Sequence, residues 1–188
     1  MADPAAETAR LRLRLPQGGD IDWWLAEMNQ PAVTQHLGGV LDRAGVEAKF
    51  ARNAAGFARD GFGFWIVEDR ASGAPLGNCG MARIDNEHAP AGLFGEVHMG
   101  WSLAERHWRQ GYASEAARAV LDLAFGRFAL ERLFAQTSAE NVASWRLMEQ
   151  LGMERMAALD YADPAYPPEE NPTIIYGVSA AHWTSTPA

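Results

Sequence analysis

Apolar residues recur along this chain at two periods, and the switches between them mark its elements. Leu11, Leu13 and Leu15 alternate with Arg10, Arg12 and Arg14, the two-residue period of a strand with one wet face. Asp20 stands where it would cap a helix running through Met28, and Pro31 opens a second short helix that ends before Gly38 and Gly39. Asp42 precedes a longer helix to about Arg59, with Val46, Phe50, Ala54 and Phe57 along one side. The chain then reads as a hairpin, with strands Phe62 to Glu68 and Leu76 to Ile84 joined at Ala71-Ser72-Gly73. A polar loop covers Asp85 to Gly92.

The two-residue period returns at Val97, Met99, Trp101 and Leu103, which alternate with Glu96, His98, Gly100 and Ser102. Ala116, Val120, Leu123, Ala124 and Phe128 follow at helical spacing, with Ser114 placed to cap that helix. Leu133 to Thr137 reads as a strand. Asn141 caps a helix to about Gln150, and Gly152 stops it. Met153 to Leu159 and Thr173 to Val178 read as strands around a Pro-rich loop, Tyr161 to Pro172. The order predicts a single mixed α/β domain over residues 10–183. Residues 1–9 and 184–188 are expected as tails.

Composition narrows the partners. At 188 residues the chain can bury a sizeable core, and its net charge of −8 argues against general nucleic-acid binding. Cys79 is the single cysteine, so no internal disulfide forms, which fits a reducing compartment. Within a hydrophobic strand it reads as a small core residue rather than a nucleophile. The start, Met1-Ala-Asp-Pro-Ala-Ala-Glu7, lacks the basic and apolar regions of a signal peptide, and no apolar run reaches the roughly 18–20 residues of a membrane span. A cytoplasmic protein with no membrane partner is expected. His36, His88, His107 and His182 show no metal-ligand spacing, so no metal is expected.

Candidate chemistry concentrates where the 95–103 strand passes through a Gly111 turn into a helix. Backbone N–H groups at a helix start lack internal partners, and the helix dipole favours an anion there. The turn Trp108-Arg-Gln-Gly-Tyr-Ala113 is neither a P-loop nor a dinucleotide fingerprint, because G-K-S/T and G-x-G-x-x-G are both missing. A phosphate-bearing ligand is expected there, with Arg106 and Arg109 as local positive charge, although both arginines could equally be solvated.

The Val97–Arg118 segment, through Val97-His-Met-Gly-Trp-Ser-Leu103 and Arg109-Gln-Gly-Tyr-Ala-Ser114, resembles the central motif of the GCN5-related N-acetyltransferase (GNAT) superfamily. It is similar in particular to the branch containing the ribosomal-protein N-terminal acetyltransferases. Asn141-Val-Ala-Ser144 and Leu151-Gly-Met153 resemble that family's Asn-x-x-Ser helix and its closing Leu-Gly-Phe. The first strand and the ending Ile175 to Trp183 match as well, so the resemblance covers nearly the whole chain.

The resemblance implies a mixed, mostly antiparallel sheet with helices on both faces, splayed between the 95–103 and 133–137 strands. Acetyl-CoA would lie in that cleft as cosubstrate. Its pantetheine arm would pair with the backbone of Trp101, Ser102 and Leu103. Its pyrophosphate would sit on the amides of Arg109, Gln110, Gly111, Tyr112, Ala113 and Ser114. Asn141 would be a helix cap first and a cofactor contact second. Trp108 departs from the Gln or Arg common at the first turn position, and removes one side-chain contact. Many members carry a Tyr seven residues after the Asn, to protonate the departing thiolate. Here that position is Met148, which donates no proton. Ser144 is the matching hydroxyl of the branch, or else a first-turn serine bonded to its own backbone. Alternation puts Glu96 and His98 on one strand face. Either could take the proton of the attacking amine, His98 directly and Glu96 through a water, or the two could be a structural polar pair.

The implied activity is acetyl transfer to a primary amine, of a protein N-terminus or a small molecule. The first helices, with Trp23 and Trp24, border the acceptor site in relatives, and the branch often dimerises. Two rival readings are a non-catalytic acyl-CoA-binding sensor on the same fold and a nucleotide-binding protein, the latter weakened by the missing phosphate-loop lysine.

Overall fold

The computed structural model describes residues 3–185. Eight strands are hydrogen-bonded in the order β1-β2-β3-β4-β5-β6-β8-β7. They are β1 Ala6–Glu7, β2 Leu11–Arg14, β3 Phe64–Asp69, β4 Pro75–Arg83, β5 Val97–Leu103, β6 Arg132–Ser138, β7 Glu154–Arg155 and β8 Thr173–Ser179. β5 and β6 pair in parallel, at His98↔Phe134 and Met99↔Ala135. The β1–β2, β2–β3, β3–β4, β6–β8 and β7–β8 pairs are antiparallel, so the sheet is mixed. The chain groups into two compact units, Met1–Ala82 with Gly100–Val120, and Arg83–Met99 with Leu121–Ala188.

In the first unit, alternation along β2 sends Leu11 and Leu13 into the core, both fully buried. Arg14, next after Leu13, turns to the other face and binds two carboxylates, Asp20 at 2.7 Å and Glu68 at 2.6 Å. This corrects the expected role of Asp20. It lies inside helix α1 (Asp20–Trp23), bonded to the Gln17 amide and to Arg14, with Gly19 at the cap. A buried carboxylate is stabilised more by a bidentate guanidinium than by one amide.

α1 widens into a π-helical turn, Trp24–Met28, and α2 covers Pro31–Thr34. α3 (Arg43–Asp60) is capped as expected, Asp42 Oδ1 accepting the Gly45 amide at 2.7 Å, and ends at Gly61 with φ 78°. Trp24, Met28, Val33, Val46 and Ala104 form one core cluster, with Trp23 and Phe50 against it. Ala54, expected on the inner side of α3, is exposed. Part of the segment expected as a loose tail is hydrogen-bonded: Ala6 and Glu7 pair with Leu13 and Arg12. Cys79 is fully buried in β4, and burial pushes its thiol pKa far up. At Gly77 in the same strand, a Cβ would lie 2.1 Å from the Ser102 carbonyl oxygen. Only glycine admits that approach.

In the second unit Ile84, Ala89, Leu93, Phe134, Tyr161 and Ile175 form a core, joined by Leu159. Helix α5 (Val142–Gln150) follows Asn141 and stops at Gly152, φ 77°. The strand expected over Met153 to Leu159 is confined to β7. Arg155 pairs with Asp160, and Leu159 N donates to Met156 O in a 3₁₀ turn over Ala157–Leu159. That turn sets Leu159 against the core. The last strand appears as expected and runs into helix α6 (Ala180–Ser185). Of the expected tails, residues 1–2 and 186–188 lie outside the described residues. Helix α4 (Tyr112–Asp122) widens into a π-helical turn over Leu123–Arg127. No helix among the described residues is long and apolar enough to cross a membrane.

Candidate active site

β5 follows its alternation at three positions: Val97, Met99 and Leu103 are buried and Ser102 is only partly so, but Trp101, expected on the inner side, is only partly buried as well. The chain leaves the strand through Ala104 and a 3₁₀ turn, Glu105–His107. Trp108 returns its indole to the strand end, Nε1 donating to the Leu103 carbonyl at 2.8 Å. The residue that departs from the family pattern thus ties the turn to β5. Gln110 Nε2 donates to Arg106 O at 2.9 Å, closing the turn on itself. Arg106 forms an ion pair with Glu27 and donates through Nε to His107 at 3.1 Å. Burial, and then the Arg106 charge, lowers the His107 pKa.

The backbone between these contacts is unusual. Arg109 has φ 58° and Gly111 φ 78°, so two left-handed residues flank Gln110. Such a conformation at a non-glycine costs about 1–2 kcal/mol and persists where the surroundings impose it. The reversal starts α4 at Tyr112, two residues before the expected cap. Ser114 is therefore in the first turn rather than at the cap. The Glu115 amide bonds back to Gly111 O at 3.1 Å. The amides of Tyr112, Ala113 and Ser114 precede that bond and have no partner within the helix. Arg109, Gln110 and Gly111 are exposed beside them. An anion on this turn would meet several N–H groups and the positive end of the helix dipole.

Sequence reasoning missed what holds the turn from behind. Arg10 donates to the Gln110 carbonyl and pairs with Glu115, which Thr8 also binds. The only signal was the arginine on the wet face of the first strand.

In the second unit, His98 is partly buried on β5. Burial pulls its pKa down to about 4, with the Asp85 charge opposing. Its Nδ1 lies 3.5 Å from Gln136 Nε2 on β6, and Gln136 Oε1 accepts the Tyr161 hydroxyl at 3.0 Å. Burial, and then Asp163, pushes that phenol up to about 12, so it stays a donor at neutral pH. Neither Gln136 nor Tyr161 was singled out from the sequence, since nothing local links them to His98. Glu96 sits one residue before β5, its carbonyl accepting from Ile84 N at 2.8 Å. Asn141 Oδ1 accepts the Ser144 amide at 3.3 Å, the expected cap. No hydrogen bond engages the Ser144 hydroxyl among the described residues, which leaves it available as a donor. Met148, where many relatives carry Tyr, is buried.

A sequence model described as the acetyltransferase (GNAT) domain matches residues 10–154. The chain belongs to the GNAT acetyltransferase family. Its GNAT domain is similar to the Bacillus subtilis (strain 168) protein YkkB, 32% identical over 149 residues that cover 78% of this chain and 83% of YkkB. Among solved structures it is similar to an acetyltransferase from Agrobacterium tumefaciens str. C58, with a TM-score of 0.75, 28% identity and 95% of each chain covered. A spermidine N-acetyltransferase from Vibrio cholerae, solved with CoA and spermine, shares the GNAT fold at a TM-score of 0.74 and 15% identity, over 95% of this chain and 100% of that one. The protein is thus an N-acetyltransferase on a mixed α/β fold.

Proposed function

We propose that this GNAT enzyme transfers the acetyl group of acetyl-CoA directly to a primary amine, carried by a protein N-terminus or a small molecule. The observation that carries the reading is the turn from Arg109 to Ser114, exposed at Arg109, Gln110 and Gly111, with left-handed residues on either side of Gln110 and the unpartnered first amides of α4 beside it. A pyrophosphate is the kind of anion it suits, with Gly111 admitting close approach. Arg109 adds positive charge, while Arg106 is already balanced by Glu27. Backbone groups of Trp101, Ser102 and Leu103 would hold the pantetheine arm. Asn141, beyond its capping role, would touch the cofactor.

In the reaction the amine nitrogen forms a bond to the thioester carbonyl carbon, the C–S bond breaks, and CoA leaves as a thiolate. Ser144 donates a hydrogen bond to that thiolate. The nitrogen must shed a proton, which His98 accepts directly or Glu96 accepts through a water. At neutral pH His98 is the neutral imidazole, in the form that can accept. Its low basicity favours taking the proton after the nitrogen has added to the carbonyl, when the N–H is far more acidic than in the free ammonium.

The test is steady-state turnover of acetyl-CoA with a panel of amines and amino-terminal peptides, alongside direct binding of CoA. Ser144→Ala is expected to lower kcat by about tenfold to a hundredfold with little change in CoA affinity. A loss of CoA affinity at unchanged kcat would remove Ser144 from this role. Absence of acetyl-CoA binding by the wild type would remove the whole reading. CoA binding with no turnover on any amine would instead favour a sensor on the same fold.

A further inference from the structure

We propose that Arg10, just before β2, is the positioning residue that sets the phosphate turn, with Thr8 and Glu115 as its clamp. The proposal rests on reading Arg109–Ser114 as the cradle for the cofactor pyrophosphate. It goes further by assigning a function to a segment a hundred residues away in sequence.

The contacts converge on one peptide group. Arg10 Nη1 donates to the Gln110 carbonyl at 2.9 Å, and its Nε donates to Glu115 Oε2 at 2.6 Å. The Arg10 backbone amide donates to the other oxygen, Glu115 Oε1, at 2.9 Å, and Thr8 Oγ1 donates to that same oxygen at 2.5 Å. The guanidinium carbon lies 4.5 Å from the centroid of the Tyr112 ring. One arginine therefore touches Gln110, Tyr112 and Glu115, which span the start of α4. Glu115 is held as the carboxylate: burial raises its pKa, but the bonds from Thr8 and Arg10 outweigh this and lower it overall.

The geometry of a trans peptide turns this clamp into a device. The C=O of Gln110 and the N–H of Gly111 point in opposite directions across their shared plane. A carbonyl drawn onto Arg10 therefore directs the Gly111 N–H away from Arg10, to the side where an anion could be received. Gln110 sits between the two left-handed residues, so the same bond holds the conformation that Arg109 would not choose alone. Gly111 is hemmed in accordingly, since a Cβ there would lie 3.3 Å from Arg10 Nη2. The guanidinium suits the task through its planar fork, which grips a carboxylate and a carbonyl at once. A lysine ammonium cannot reproduce that grip.

The experiment compares acetyl-CoA with S-acetyl-pantetheine, which carries the same thioester and no phosphate, in the wild type and in Arg10→Met, Arg10→Lys and Thr8→Val. Expected is a rise of about tenfold in the KM for acetyl-CoA in Arg10→Met, equivalent to about 1.4 kcal/mol. The wild-type preference for acetyl-CoA over S-acetyl-pantetheine should shrink by the same factor. Arg10→Lys should recover only a small part of it, because it restores charge but not the fork. Thr8→Val should show the same pattern at smaller size and keeps the test open if Arg10→Met does not fold. Equal losses on both thioesters would reduce Arg10 to a structural role and overturn the proposal, as would full recovery by lysine. A wild type that turns over both thioesters equally would show that the turn holds no phosphate. A wild type using neither would strike at the acetyltransferase reading itself.

Discussion

Acidifying the protein should expose how firmly its fold keeps His98 neutral. In the folded chain burial lowers the imidazole from its ordinary 6.5 to about 4, against the opposing Asp85 charge. In the unfolded chain it titrates near 6.5. Above that value both states hold a neutral ring and His98 contributes no pH dependence. Between about 6.5 and 4 the unfolded chain takes up a proton that the folded chain refuses, so stability falls as the pH falls, and the loss levels off below about 4. A drop of 2.5 pH units, at about 1.36 kcal/mol each, is on the order of 3 kcal/mol, a substantial share of a typical domain's 5–15 kcal/mol. Denaturant unfolding of the wild type and of His98→Gln, at a series of pH values from about 7 to about 4, reads this directly. The carboxylates common to both proteins cancel in the difference. His98→Gln should lose less stability over the acid range, with the two curves diverging by up to about 3 kcal/mol. Parallel curves, or a His98 ring proton that titrates near 6.5 in the folded protein, would refute the reasoning.

Two further outcomes follow from other parts of the molecule. Gly111→Val places a β-branched residue at φ 78° with its Cβ near Arg10. It should weaken CoA binding and cost about 1–2 kcal/mol of stability by denaturant titration, and unchanged CoA affinity would contradict the close-approach argument. Lys49, the chain's single lysine, sits 4.6 Å from the Trp24 ring centroid, and burial, with Arg52 nearby, lowers its pKa to about 8. Its acylation by an amine-reactive reagent, followed by peptide mapping to separate it from the N-terminus, should show a midpoint near 8. A midpoint above 10 would be the opposite result.

The parts of the fold legible in the sequence are those fixed by neighbours a few residues away. Asp42 and Asn141 cap the helices expected of them, because a side-chain oxygen reaching an amide three residues on is a local event. The alternation along β5 predicts the burial of Val97, Met99 and Leu103, because side-chain direction in a strand depends on position. Failures occur where a group outside the local capping or alternation pattern intervenes, whether a few residues away or across the fold. Asp20 looks like a cap until Arg14 claims it. Ser114 looks like a cap until two left-handed residues start the helix early. Thr8 and Glu115 are 107 positions apart, and Gln136 and His98 are 38 apart, so no local pattern announces either pair. The glycine and the helix behind it mark the turn in the sequence, whereas the groups that shape it lie beyond any local pattern.

The burial of Cys79 has a practical consequence. It is the only thiol in the chain, it is fully enclosed in β4, and its pKa is raised, so little thiolate exists to react with a disulfide reagent. Free CoA released during turnover would then be the one thiol such a reagent sees, and the enzyme itself would add no background colour. The same side chain becomes accessible once the sheet around β4 opens. One equivalent of reactive sulfur per chain would therefore count unfolded molecules in the cuvette that also counts product.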